Sequence, residues 1–176
     1  MKYYRPQSEE ELEAILRSIR ELGGKKNFED ALAICERLIE EKETEVAGYR
    51  ERAFVKERMA DLTGAIEDIK VVTTRFPYEP ADFHALGILL LANEDAFGAV
   101  EAFGKSIALE ADAGGSYYTN SSFLFRAEAN LLMENFEDAI ADSEILPAGY
   151  QTYISGTGMR SKESISSEAK AALEQK

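Results

Sequence analysis

Asn27-Phe28-Glu29-Asp30-Ala31-Leu32, "NFEDAL", returns near the other end of the chain as Asn135-Phe136-Glu137-Asp138-Ala139-Ile140, "NFEDAI". If a unit repeats, weaker copies must lie between these two. Stepping 34 residues from Ala31 reaches Ala65 in "DLTGAI", and 34 more reaches Ala99 in "DAFGAV". Ala139 lies 40 residues further on, so six residues are inserted before the last copy. Alanine followed by Leu, Ile or Val marks every step, which rules out coincidence.

Further columns keep the same period. Twelve residues before each alanine stand Ile19, Ala53, Gly87 and Ala127, three of them small. Four residues earlier stand Ile15, Tyr49, Phe83 and Phe123, and four residues after each alanine come Cys35, Ile69, Phe103 and Ser143. A spacing of four puts both members on one helix face. The twelve-residue step crosses a turn and joins two helices. Glycine inside a helix costs about 1 kcal/mol, so Gly87 points to close helix packing.

Each period therefore predicts two antiparallel helices. The first starts at Ser8, with Glu11 three residues on as a capping box, and stops at Gly23-Gly24. Asn27 is placed to cap the second, Phe28 to Glu41. Helices follow over 46–59, 62–75, 80–92, 96–109, 118–133 and 136–146. Pro80 opens the fifth near its first turn, and Pro77 and Pro147 close others.

This 34-residue helix-turn-helix unit resembles the tetratricopeptide repeat. The best copy is Pro80 to Ala113, where Phe83, Leu86, Gly87, Leu90, Ala99 and Phe103 match the family's signature. The second copy matches at Tyr49, Ala53, Ala65 and Pro77 but has Lys56 where a large apolar residue is usual. In the outer copies Ile19 is bulky for its column, and Asn130 and Ser143 are polar. The resemblance implies an all-α fold, a right-handed helix-turn-helix solenoid. Its four repeats cover 12–45, 46–79, 80–113 and 120–146, after a lead-in over 1–11.

Residues 147–160, "PAGYQTYISGTGMR", read as a linker whose Tyr150, Tyr153 and Ile154 are costly to leave in water. Ser161 or Ser164 can cap a last helix over 161–176, with an apolar stripe of Ile165, Ala169, Ala172 and Leu173. Two roles are open for it: a cap on the fourth repeat, or a detachable segment that competes with a ligand.

Composition narrows the function classes. A formal net charge of −13 opposes a phosphate-backbone partner. The longest apolar run, Ala85 to Ala92, has eight residues where a bilayer span needs about 20. The start "MKYYRPQSEEELEAIL" lacks a signal peptide's apolar core. These features, with the lone Cys35, point to a cytoplasmic protein without disulfides.

Catalytic constellations are missing too. His84 is the single histidine, so no multi-histidine metal site can form. A Cys35–His84 pair would have no evident third member. "ISGTGMRS" lacks the further Gly or Lys of a phosphate loop. No enzyme activity, metal or cofactor is expected.

What remains is surface. The resemblance implies that stacked first helices line a concave groove for a peptide or an amphipathic helix. Carried onto this chain, the face one, five and eight residues past the aromatic column comprises Leu16, Arg20 and Gly23, then Arg50, Phe54 and Glu57. His84, Ile88 and Leu91 follow in the third repeat, and Leu124, Glu128 and Leu131 in the fourth. The chain's own tail is the alternative occupant. Tyr117 and Tyr118, in the insertion "EADAGGSYYT", form a candidate contact loop. The expected function is non-enzymatic protein binding. The alternatives are a dedicated inhibitor or secretion-chaperone-like protein that neutralises one basic or apolar partner, or a self-associating structural protein.

Overall fold

The structure, a computed structural model, describes residues 6–175. The first five residues of the expected lead-in, and Lys176 at the end of the expected capping helix, lie outside the described residues. The chain divides into two compact units, Met1–Pro77 and Tyr78–Lys176. The first holds α1 (Glu9–Gly24), α2 (Phe28–Glu40), α3 (Glu45–Arg58) and α4 (Leu62–Arg75). The second holds α5 (Pro80–Ala92), α6 (Ala96–Ala113), α7 (Thr119–Leu132), α8 (Phe136–Ile145), the strands β1 (Gln151–Ile154) and β2 (Gly158–Ser161), and α9 (Lys162–Leu173). The fold class is all-α. The stretch 147–160, expected as a plain linker, contains a small antiparallel hairpin with Tyr153 opposite Met159.

Local chemistry sets most helix starts. The Ser8 hydroxyl accepts from the Glu11 amide at 3.2 Å, and Pro80 occupies the first turn of α5. Asp61 and Asp95 accept from the amides of Gly64 and Gly98 at 2.9 Å. The asparagines of the twin hexapeptides behave differently from expectation. Asn27 and Asn135 stand at the cap positions without a side-chain cap bond, and Asn27 donates instead to Asp30 at 2.6 Å. In α9 both candidate serines take part. Ser161 is the cap, and Ser164 returns a hydrogen bond to its backbone.

The turn inside each helix pair carries a signature that composition hid. Lys26, Ala60, Glu94 and Glu134, each just before the cap of a second helix, have φ of 60°, 63°, 63° and 59°. Around each run the same two bonds. At the first, the Asn27 amide donates to Leu22 O and the Lys26 amide to Gly23 O, and at the second Asp61 donates to Lys56 O and Ala60 to Glu57 O. Asp95 and Glu94, and Asn135 and Glu134, repeat the pattern. This is the Schellman ending, usually built on glycine. Here all four left-handed residues carry a side chain.

The alanine column lies in the core: Ala31, Ala65, Ala99 and Ala139 have no exposed surface. Gly87 serves close packing, but against a ring rather than the facing alanine. A Cβ at Gly87 would come within 2.6 Å of the Phe103 ring. The insertion is only partly a turn. Its first residues extend α6 by one turn to Ala113, and Gly114 then ends the helix at φ 68°.

The three polar departures from the repeat pattern, Lys56, Asn130 and Ser143, have partners, Ser143 donating to Ala139 O at 2.7 Å. In α3–α4, Arg52 and Lys56 both pair with buried Asp68, at 2.6 and 2.8 Å. In α7–α8, Arg126 pairs with buried Asp142 at 2.6 Å, and Asn130 lies 3.4 Å from the same carboxylate. Arg52 also lies over the Tyr49 ring and Arg126 over Phe123, at 5.3 and 5.2 Å.

Two stability changes follow. Ala60→Gly should stabilise the chain by about 0.5–1 kcal/mol in urea unfolding, because a side chain at positive φ costs more than the extra freedom of glycine. Gly87→Ala should destabilise it by about 1–2 kcal/mol, since forcing Phe103 aside outweighs the helix preference of alanine.

Candidate functional site

In the first unit the anticipated face lies on α1 and α3. Leu16 is buried in a cluster with Ile15, Ile19, Ile34, Cys35 and Val55. The exposed Arg20 side chain grips the buried carboxylate of Glu51 on α3 through Nε and Nη2. The Arg58 guanidinium lies 5.7 Å from the centre of the Phe54 ring, and its Nε donates to Gly23 O at 3.3 Å. Phe54 and Arg50 are half-buried, and Glu57 is exposed. Sequence reasoning missed Glu51 and Arg58. The available signal was an opposite charge about one period away, since Glu51 follows Arg20 by 31 residues.

In the second unit the same face divides. Ile88 and Leu131 are half-buried, while His84 and Leu91 are buried. Leu124 has no exposed surface and Glu128 only 2 %. Leu124 clusters with Ile165 and Ala169 of α9. The Arg160 Nε donates to Glu128 Oε2 at 2.7 Å, while its two Nη atoms reach the Glu168 carboxylate at 2.7 and 2.9 Å. The hydrogen bonds to Glu168 and Glu128 hold the Arg160 pKa above its usual range, against the opposing effect of burial. On α7 the chain's own tail therefore occupies what the sequence marks as a ligand face.

His84 closes an aromatic cluster. Its ring lies 5.7 Å from Phe103, 5.1 Å from Tyr118 and 5.8 Å from Phe125. Its Nδ1 is 2.9 Å from Ser122 Oγ, and Ser122 continues to Ser106, which donates to Pro80 O at 3.0 Å. Ser122 is fully buried, and this serine–histidine contact fastens α5 to α7. Burial drives the His84 pKa from 6.5 to about 4, with nearby Glu110 opposing. Burial likewise lifts the Cys35 thiol to about 12, which keeps it protonated.

Tyr117 and Tyr118 part company. The Tyr118 amide and the Thr119 hydroxyl both donate to buried Glu110, at 2.8 and 2.6 Å, and Tyr118 packs on His84. Tyr117 stays 86 % exposed. Charge is also uneven: residues 78–176 carry six Lys and Arg against sixteen Asp and Glu, whereas residues 1–77 carry fourteen against seventeen. Among the described residues, no group of three or more His, Cys, Asp and Glu is placed to hold a metal ion. No helix among them is long and apolar enough to cross a membrane.

The buried imidazole makes stability depend on pH. A group whose pKa falls on folding stabilises the fold fully above its unfolded value, and that contribution is lost as pH falls toward the folded value. Between pH 6.5 and about 4 the wild type should lose about 3 kcal/mol that a His84→Gln variant retains. Urea unfolding of both chains across that window measures the difference.

No family model and no curated protein matches the chain. Solved structures do. A putative kinesin light chain of Podosopora anserina with nearly identical TPR-like repeats aligns at TM-score 0.69 and 17 % identity, over 97 % of this chain and 90 % of that one. The MamA protein aligns at TM-score 0.60 and 16 % identity, over 74 % and 70 %. PcrH from Pseudomonas aeruginosa aligns at TM-score 0.54 and 17 % identity, over 77 % and 98 %. The chain has the fold of the tetratricopeptide-repeat proteins.

Proposed function

We propose that the chain is a non-catalytic protein-binding module that holds a peptide or amphipathic helix of a partner against its first-helix faces. The observation that carries this reading is the α1–α3 surface: the half-open Phe54 ring with the Arg58 guanidinium over it, beside the Arg20–Glu51 pair. An aromatic ring and planar guanidinium groups are what interface centres are enriched in. Arg20, Arg50, Phe54 and Glu57 are the contact residues proposed in the first unit. Ile88 and Leu131 are those the second unit leaves partly accessible, with His84, Leu91, Leu124 and Glu128 beneath. Tyr117 supplies an exposed aromatic on the proposed contact loop.

A second reading, a neutraliser of one basic partner, is favoured by the charge of the second unit, sixteen acidic side chains against six basic ones. Such a partner would be held largely by long-range attraction.

The test uses the whole chain as bait, in wild-type form and as Phe54→Glu. The expected result is a partner retained by the wild type and lost from the variant, while helicity and melting stay near normal. A partner held equally by both sinks the groove reading. Affinity for that partner against added salt separates the two: a drop of about tenfold or more across moderate salt marks the neutraliser, and a flat response marks the groove.

A further inference from the structure

Leu124 and Glu128 stand one turn apart on α7, and the structure seals both. Arg160 of β2 pairs with Glu128 and Ile165 of α9 packs with Leu124, while β1, whose Ile154 is buried, packs against α7. The two parts of the tail are held in different ways. Helix α9 is seated by the fully buried Ile165 and Ala169 and starts from its own capping box at Ser161 and Ser164. The hairpin is held by Ile154 and Arg160, and at its start Tyr150 packs on the Leu124–Ile165 cluster and accepts from the Lys162 amide at 3.1 Å. Its Gln151, Ser155, Gly156 and Thr157 are exposed, and the cross-strand pair Tyr153 and Met159 is 64 % and 61 % exposed. A lone two-stranded hairpin is marginal in water, so this one depends on its seat. Its two ends are pinned to α9, Gly149 by its amide to Glu163 Oε1 at 2.9 Å and Ser161 by the capping box.

Glu128 makes the seat selective. A carboxylate buried to this degree needs a cation. Arg160 supplies it with Nε while its Nη atoms hold Glu168, a forked geometry that lysine cannot reproduce.

We propose that residues 151–160 form a strap over α7 that opens while the helices hold, and that the face beneath takes a partner segment presenting an arginine beside an aliphatic side chain, as Arg160 and Ile154 do. The inference rests on the reading of first-helix faces as binding surfaces. It adds the chemistry of the occupant and the segment that must move.

Hydrogen exchange on the full wild-type chain tests the strap. Its amides should be at least about tenfold less protected than those of α7, α8 and α9, and Arg160→Gln should lower them further while the helices hold. Exchange of the hairpin in step with α7 and α8 overturns the strap. A fluorescein-labelled peptide copying residues 150–161, YQTYISGTGMRS, tests the occupant. It should bind the Arg160→Gln chain about tenfold or more tightly than the wild type, and lose that binding when its own arginine is replaced by glutamine. Independent opening with no peptide binding overturns the occupant and counts against α7 as a binding face, leaving the strap standing. Peptide binding insensitive to its arginine overturns the role of Glu128.

Discussion

Each helix pair reverses through one residue at positive φ, and two backbone hydrogen bonds around it set where the second helix begins. None of the four residues is glycine, so each reversal costs about 1 kcal/mol or more that packing must offset. The offset lies close by. Five residues after each reversal comes a fully buried alanine, and seven residues before it stands Ile19, Ala53, Gly87 or Ala127. The turn sets the register and the small side chains let the helices close on it. Which face every helix presents follows from that register.

The same register explains the polar residues inside the second and fourth pairs. Arg52 meets Asp68 and Arg126 meets Asp142 across the same sixteen-residue separation, each arginine lying over an aromatic of the preceding turn. Removing one member would strand a buried charge, at a cost of about 3–5 kcal/mol. Swapping the whole set for apolar residues would cost far less. The third pair shows this alternative, with Leu86 and Ala102 at the corresponding places, where the first has Ser18 and Ile34.

Beyond each pair, the first helix leans on the next first helix in its unit. Arg20 reaches Glu51, and His84 reaches Ser122. Glu128, with no further first helix of a full repeat beside it, is met by Arg160 of the hairpin. The positions marked as ligand-facing therefore serve partly as contacts between neighbouring helices. What stays open is Phe54 with its flanking arginines and Glu57 in the first unit, and Ile88, Leu131, Tyr117 and the acidic surface in the second.

By itself the sequence determined the period, the helix pairs and the small-residue columns. Those rest on signals that act within a turn or two: Ser8 and Ser161 as caps, Pro77 and Pro147 as stops, and alanine recurring with its apolar neighbour. It could not show that Asn27 and Asn135 leave their cap bonds unmade, because a competing partner such as Asp30 is a matter of geometry. Only the tertiary structure decided which stripe residues meet water. That depends on how the following helix is rotated, and in this way His84, Leu91, Leu124 and Glu128 became interior. The hairpin was equally hidden, since "QTYI" and "GMRS" are short, glycine-flanked and without clear alternation. The α7 face supports the hairpin, because β1 packs against α7 with Ile154 buried and Glu128 gives Arg160 a charged partner that neither strand could supply alone.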